Sequence, residues 1–403
     1  MYFAISAVLR LIEQVLDSFK QSLIGLMADV LGVFAGFVIA FHISLLSPVK
    51  WAFLAYPSVL AVRGLTNGIL CAKLSTSLHL GSINTSFLKN TEEFYALMAS
   101  LAFFNFIASL AASTTVCIAS SILLSIELKD VLFIFLCVVN SMVISFLVTS
   151  PLSFFVASRT YLKGLDPDYI AYPVMSTLAD VIVSSCYLIV IQLYVTNSII
   201  ALLLVFFLTS MLSLASLVKF LEHELFRSVI KESFLSFLLV SVISSSAGAA
   251  LKSISDRIGA YKPLYVVYPA VIDTIGDVGS IVGSTYTTKL ALGELYIDLK
   301  SFLKSVPVMV GSWLSSLLVF MILPLVSMIL TSYPYVEYFA LLKVLLITNV
   351  MSVIPISIIA FSTAVLAYLK GLDPDSFVNP IESSLADAIT SFALLTSLGL
   401  IAS

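Results

Sequence analysis

Eleven stretches of this chain are long and apolar enough to cross a lipid bilayer, near residues 22–47, 51–75, 94–126, 131–160, 169–194, 197–219, 233–252, 263–287, 302–331, 335–368 and 376–402. A spanning helix needs about 20 apolar residues. Within the hydrocarbon layer every backbone N–H and C=O must find its partner inside the segment, which leaves helices and closed barrels as the only solutions. The ten-residue alternation of a barrel strand is absent. The expected fold is therefore all-α, a polytopic membrane bundle embedded in the lipid bilayer. Charged residues are only 11% of the 403, against about 25% in a soluble domain. The loops are too short to hold a soluble enzymatic domain, and there is no basic run for nucleic acid. Residues 1–20 carry Arg10, Glu13, Asp17 and Lys20 at helical spacing, which predicts an amphipathic surface helix rather than a cleaved leader.

The chain repeats itself. Gly164-Leu165-Asp166-Pro167-Asp168 recurs as Gly371-Leu372-Asp373-Pro374-Asp375, and the stretch from Pro173 to Asp180 as that from Pro380 to Asp387, all at an offset of 207. Tyr56-Pro57, Gly64 and the Leu78-to-Gly81 run recur at an offset of 212 as Tyr268-Pro269, Gly276 and Leu290 to Gly293; Lys20 and Ser22 match Lys231 and Ser233 at 211. Each half is then a surface helix and five spans: a first repeat over 1–195, a linker span over 196–219 and a second repeat over 220–403. An odd number of spans per half, plus one linker, makes the arrangement 5+1+5. Both repeats enter the membrane in the same direction, as parallel pseudo-symmetric copies. With the N-terminus in the cytoplasm and the C-terminus outside, thirteen Lys and Arg lie on or near the cytoplasmic side against five outside, in agreement with the positive-inside rule.

Charges inside spans are costly and mark candidate function. They are Asp29, Arg63, Asp180, Asp273, Asp277, Lys343, Glu382 and Asp387. Asp180 and Asp387 stand out, because each sits thirteen or fourteen residues beyond its Asp-Pro pair, about 20 Å into the fifth span of its half. Two acids facing a shared cavity attract a divalent cation and exclude anions; the competing reading is a pair of protonated acids that pin helices. Ser176, Thr177, Ser383 and Ser384 surround them and could hold the water of a hydrated ion, or serve helix packing. Asp273, Asp277 and Glu382 belong to the second half only. Arg63 aligns with Ile275 and is a candidate partner for an acid such as Asp277. Asn140 and Asn349 in the fourth spans either line a path or tie helices together. Pro57 with Gly64 and Pro269 with Gly276 predict irregular second spans. Asp166 and Asp373 read as helix caps. The four cysteines and three histidines show no metal-ligand or redox spacing.

The segments GLDPDYIAYPVMSTLAD and GLDPDSFVNPIESSLAD resemble the MgtE family of magnesium channels and transporters, which has Gly-x-Asp-Pro, then Pro, then a hydroxyl-rich turn ending in Leu-x-Asp. The resemblance extends to the second spans, to Glu294 after Gly293, and over both halves, as in the two-domain solute-carrier branch related to MgtE. It implies that Asp180 and Asp387 are the pore aspartates, that the chain is a fused pseudo-dimer, and that the transported ion is Mg2+, with Mn2+ or Co2+ as further candidates, crossing a cell membrane. The family's Gly-Asn at the second-span bend is here Gly64-Leu65 and Gly276-Asp277, so Asp277 adds an acid in one half. The family's cytoplasmic regulatory domains have no counterpart. The alternative is a cation-coupled secondary transporter of a small organic solute; an enzyme is not expected.

Overall fold

The structure, a computed structural model, describes residues 2–124, 126–163, 167–259, 261–291, 299–370 and 374–402. Helix α1 (Tyr2–Leu26) passes through a 3-10 turn (Ala28–Gly32) into α2 (Val33–Phe41) and the short α3 (Ile43–Leu46). Then follow α4 (Ala52–Leu80), α5 (Glu92–Leu124), α6 (Leu128–Leu162), α7 (Pro167–Val195) and α8 (Ile199–Phe220). The second half is α9 (Glu224–Ile258), α10 (Lys262–Ala291), α11 (Leu299–Thr331), a 3-10 turn (Tyr335–Glu337), α12 (Tyr338–Leu369) and α13 (Pro374–Ala402). Among the described residues there is no strand, and eleven helices are 22 residues or longer. Nine helical segments are both long and apolar enough to cross a membrane, among the described residues. The expected eleven add α4 and α9, whose 29 and 35 residues suffice by length. The chain is a polytopic all-α membrane protein.

Helix starts and stops follow local chemistry. A capping box of Glu127 and Asp130 opens α6, satisfying two amides that would otherwise lack partners. Gly81 closes α4 at φ 68°, in the left-handed region where a side chain would be strained. Several buried serines satisfy their hydroxyls within their own helices. Ser113, Ser141 and Ser312, for instance, donate to the carbonyl four residues back in their own helices, a common way to bury hydroxyls in a bilayer.

Residues group into two compact units. One comprises Met1–Phe37 with Tyr261–Ser403, the other Val38–Ala260, the boundary falling within α2. Sequence repeats and packing units are thus different divisions of the chain. In the Val38–Ala260 unit, α9 packs against α4 and α5. In the other, α1 packs against α11 and the 3-10 turn after it against α10. The first helix of each half therefore joins the second and third spans of the other half.

Glycines make the exchange possible. At Gly36 a methyl group would collide with the backbone carbonyls of Tyr265 and Val266; at Gly248 it would collide with the carbonyl of Leu54. Gly36 and Gly248, like Leu54 and Val266, are 212 residues apart, so the same contact is made twice. The prolines explain its place. Pro269 and Pro57 lack the N–H that would bond the carbonyls of Tyr265 and Phe53, and the glycine backbone comes up against that same turn. The expected irregularity of the second spans is not seen: α4 and α10 run unbroken through Pro57, Gly64, Pro269 and Gly276. Both prolines lie inside their helices, and each removes one backbone bond without breaking the helix.

The surface helix also differs from expectation. Nothing breaks the chain near residue 20, so α1 continues to Leu26, and Leu11–Phe41 forms one apolar segment. Glu13, Asp17 and Lys20 are exposed, as the amphipathic pattern predicts. The opposite face is docked on α11, with Gly311 fitted against Ser18 and Phe19, and Ser315 donating to the Phe19 carbonyl at 2.7 Å.

Candidate functional site

In the Val38–Ala260 unit, α4 and α7 are pinned by a 2.8 Å hydrogen bond between the Tyr56 hydroxyl and Ser184 Oγ. Two turns along α4 lies Arg63, and one turn back along α7 lies Asp180. Their side chains form a buried ion pair, Asp180 being 1% exposed. Arg63 Nη1 also donates to Ser176 Oγ at 3.2 Å. Arg63 thus partners Asp180 and not Asp277: the sequence shows that it is unmatched in the repeat but not which helix it faces. Thr177 is half-buried beside this group.

In the other unit, α10 and α13 are pinned by the equivalent bond, 2.8 Å between the Tyr268 hydroxyl and Ser391 Oγ. Tyr268 follows Tyr56 by 212 and Ser391 follows Ser184 by 207, so the two repeats are in register as contacts and not only as letters. Here Ile275 stands where Arg63 stood, fully buried. Asp387 takes the place of Asp180 and is 7% exposed.

Around Asp387 the chemistry is acidic. Asp273 and Asp277 sit one turn apart on α10, on one face. Asp29 comes from the 3-10 turn after α1 and lies beside Thr274 and Asp277. Glu382, 1% exposed, feels the charges of Asp277 and Asp387, and its carboxyl fills the space that a side chain at Gly279 would need. Oδ2 of Asp29 and Oε1 of Glu382 are buried without a hydrogen-bond partner. Such groups are costly in a low-dielectric interior. The 3-10 turn, α10 and α13 therefore gather five carboxyl groups, while the first repeat has Ala61, Leu65 and Met175 where the second has Asp273, Asp277 and Glu382.

The remaining candidates separate. Ser384 is buried and Ser383 exposed. At Gly276 a would-be Cβ would stand 3.7 Å from the Ala386 methyl, an ordinary van der Waals contact between α10 and α13; at Gly64 nothing stands within 4 Å. Asn140 and Asn349 are helix ties. Asn140 Nδ2 donates to the Leu202 carbonyl of α8 at 2.9 Å, and Asn349 binds Trp313 Nε1 and Ser316 Oγ of α11, each at 2.9 Å. Asp166, Asp373, Gly293 and Glu294 lie outside the described residues. Among the described residues, no group of three or more His, Cys, Asp or Glu side chains is arranged to hold a metal ion directly.

Comparison with known proteins agrees with this doubled geometry. The MgtE family, described as divalent cation transporter, matches residues 56–190 and again residues 268–397. The chain belongs to the MgtE family of divalent cation transporters. The two matched stretches begin 212 residues apart and end 207 apart, the same offsets that relate the tyrosine and serine pins, so this is a two-repeat MgtE-type protein. Membership makes divalent metal ions the cargo class. No curated protein matches the chain. A crystal structure of a eukaryotic MATE transporter aligns over 98% of this chain and 96% of its own at 13% identity, with a TM-score of 0.17, too low to bear on the fold.

Proposed function

We propose that this MgtE-family protein carries Mg2+ across a cell membrane, with Mn2+ and Co2+ as further substrates, along a path lined by the fifth-span aspartates Asp180 and Asp387. The observation that carries the reading is the gathering of Asp29, Asp273, Asp277 and Glu382 with Asp387 in one unit. Five carboxyl groups in an apolar bundle call for a cation. All the donors are hard oxygens, with no imidazole or thiolate among them, which favours Mg2+ over zinc or copper. Their spread suits an ion held through its water shell, because Mg2+ sheds water reluctantly. Asp387 and Asp277 are the principal ion-facing acids, and Ser384 supplies a hydroxyl to the passing water. The two repeats act as a fused pseudo-dimer, oriented with the N-terminus in the cytoplasm by the lysine and arginine bias.

The test is Mg2+ entry into proteoliposomes, read by a trapped Mg2+-sensitive dye. Wild type should show flux that Asp387→Asn abolishes, and millimolar Mg2+ should raise the unfolding temperature of wild type but not of that variant. Full flux in Asp387→Asn would remove Asp387 from the path. No flux of Mg2+, Mn2+ or Co2+ would remove this substrate class altogether.

A further inference from the structure

The first span of the chain breaks its α-helix near its middle, and an acid sits at the break. The apolar segment Leu11–Phe41 runs from α1 through the 3-10 turn Ala28–Gly32 into α2, and Asp29 lies in that turn. At membrane depth, irregular backbone is tolerated where it is buried in protein or lines a polar cavity, and a 3-10 stretch inside a helix often marks a functional hinge. We propose that Asp29 is a further ion-facing residue, through which a bound ion holds the first span against α10. This rests on the reading that Asp277 faces the ion.

Close packing places this acid. Gly36 is seated on the carbonyls of Tyr265 and Val266, and a methyl group at Gly32 would stand 3.4 Å from the Ala270 Cα. Asp29, Gly32 and Gly36 follow one another at one-turn spacing on one face. Their neighbours on α10 run the opposite way: Val266, Ala270, then Thr274 and Asp277. Asp29 is 7% exposed, and its Oδ2 is buried with no hydrogen-bond partner. The Thr274 hydroxyl donates to the Ala270 carbonyl of its own helix at 2.7 Å, which leaves oxygen lone pairs to offer an ion. Asp273 and Glu382 add negative charge around Asp277. Acceptors turned on one another in a low-dielectric interior need a cation among them. No direct three-carboxylate metal site exists among the described residues, so Asp29 reaches the ion through its water shell. The other half supplies a control. There α9 seats Gly248 on Leu54 in the same way, yet it runs unbroken from Glu224 to Ile258, and Ser241 aligns with Asp29 at the offset of 212. The glycine contact therefore does not require a break; the break accompanies the acid.

The experiment reads the first span in the purified full-length chain. Hydrogen exchange is followed over Met27–Val33 with and without millimolar Mg2+, and Mg2+ entry into proteoliposomes is measured against Mg2+ concentration. In wild type, Mg2+ should slow exchange over this stretch. Asp29→Asn keeps the shape of the side chain and its hydrogen-bonding capacity, so without Mg2+ it should exchange like wild type. It should lose the Mg2+-dependent protection and need about 10–100-fold more Mg2+ for half-maximal entry. Asp29→Glu, which restores the charge, should recover part of both. An acid that only pins two helices would leave these measurements unchanged in Asp29→Asn; either one unchanged in the folded variant, or wild-type exchange indifferent to Mg2+, would overturn the inference. If Asp29→Asn does not fold, or exchanges faster than wild type without Mg2+, the wild-type exchange decides by the same criterion. Entry lost in Asp387→Asn but unaltered in Asp29→Asn would overturn this inference alone, whereas a wild type that carries no Mg2+ would overturn the transport site with it.

Discussion

The two units use one scaffold for opposite electrostatics. Both pin the second span to the fifth through a tyrosine and a serine at 2.8 Å. Both seat a glycine of a first helix on the backbone near a proline. Both bury an aspartate one turn from the pinning serine. Yet one unit closes its aspartate with Arg63, and the other surrounds its aspartate with further acids. Duplication preserved the packing, because a helix interface tolerates few changes of volume. The charges could diverge, because they sit on side chains that the backbone contacts do not constrain. Where a homodimer must repeat every charge twice, a fused pair can separate a structural half from an ion-handling half.

The largest effect that would break this comparison is in flux. Asp387→Asn should abolish Mg2+ entry into proteoliposomes, whereas Asp180→Asn should leave measurable entry, since its charge is already met by Arg63. Equal loss in both would restore functional symmetry. Next comes stability. Arg63→Met strands the buried Asp180 carboxylate and should cost about 3–5 kcal/mol in an unfolding assay, most of it recovered in Arg63→Met/Asp180→Leu. Ile275→Met at the equivalent position should cost less than about 1.5 kcal/mol, as a near volume-conserving change.

Smaller effects should be shared by the two units. Gly36→Ala and Gly248→Ala each drive a methyl group into a backbone carbonyl and should each cost about 1–3 kcal/mol, seen as a lower unfolding temperature. A cost confined to one would show that the two exchanged helices are not equivalent. Smallest are Tyr56→Phe and Tyr268→Phe, each removing one interhelical hydrogen bond and each expected to cost about 0.6 kcal/mol. A much larger loss at Tyr268 would mean that this hydroxyl also serves Asp387.

Much of the molecule is legible without coordinates. The apolar runs dictate spanning helices because lipid offers the backbone no partners. The offsets of 207 and 212 reveal the repeat because each copy must solve the same packing problem. Asp180 and Asp387 stand out because an unmatched charge in a span is too costly to be incidental. The partner of Arg63 was not legible. The repeat alignment shows that Arg63 faces no counterpart, but the pin between Tyr56 and Ser184 was needed to set the register that brings it to Asp180. The roles of Asn140 and Asn349 stayed open for the same reason, since an amide's partner lies on another helix. Asp29 carried no motif, and its place among the second-half acids depends on the exchange of first helices.

The sequence by itself determined that this protein is an all-α membrane bundle built twice, because hydropathy and periodicity are local properties that lipid acts on segment by segment. Only the tertiary structure decided which helices share a unit and which charges meet. Those outcomes turn on backbone approaches at Gly36 and Gly248 and on side-chain register at Tyr56 and Tyr268, contacts between residues more than a hundred positions apart.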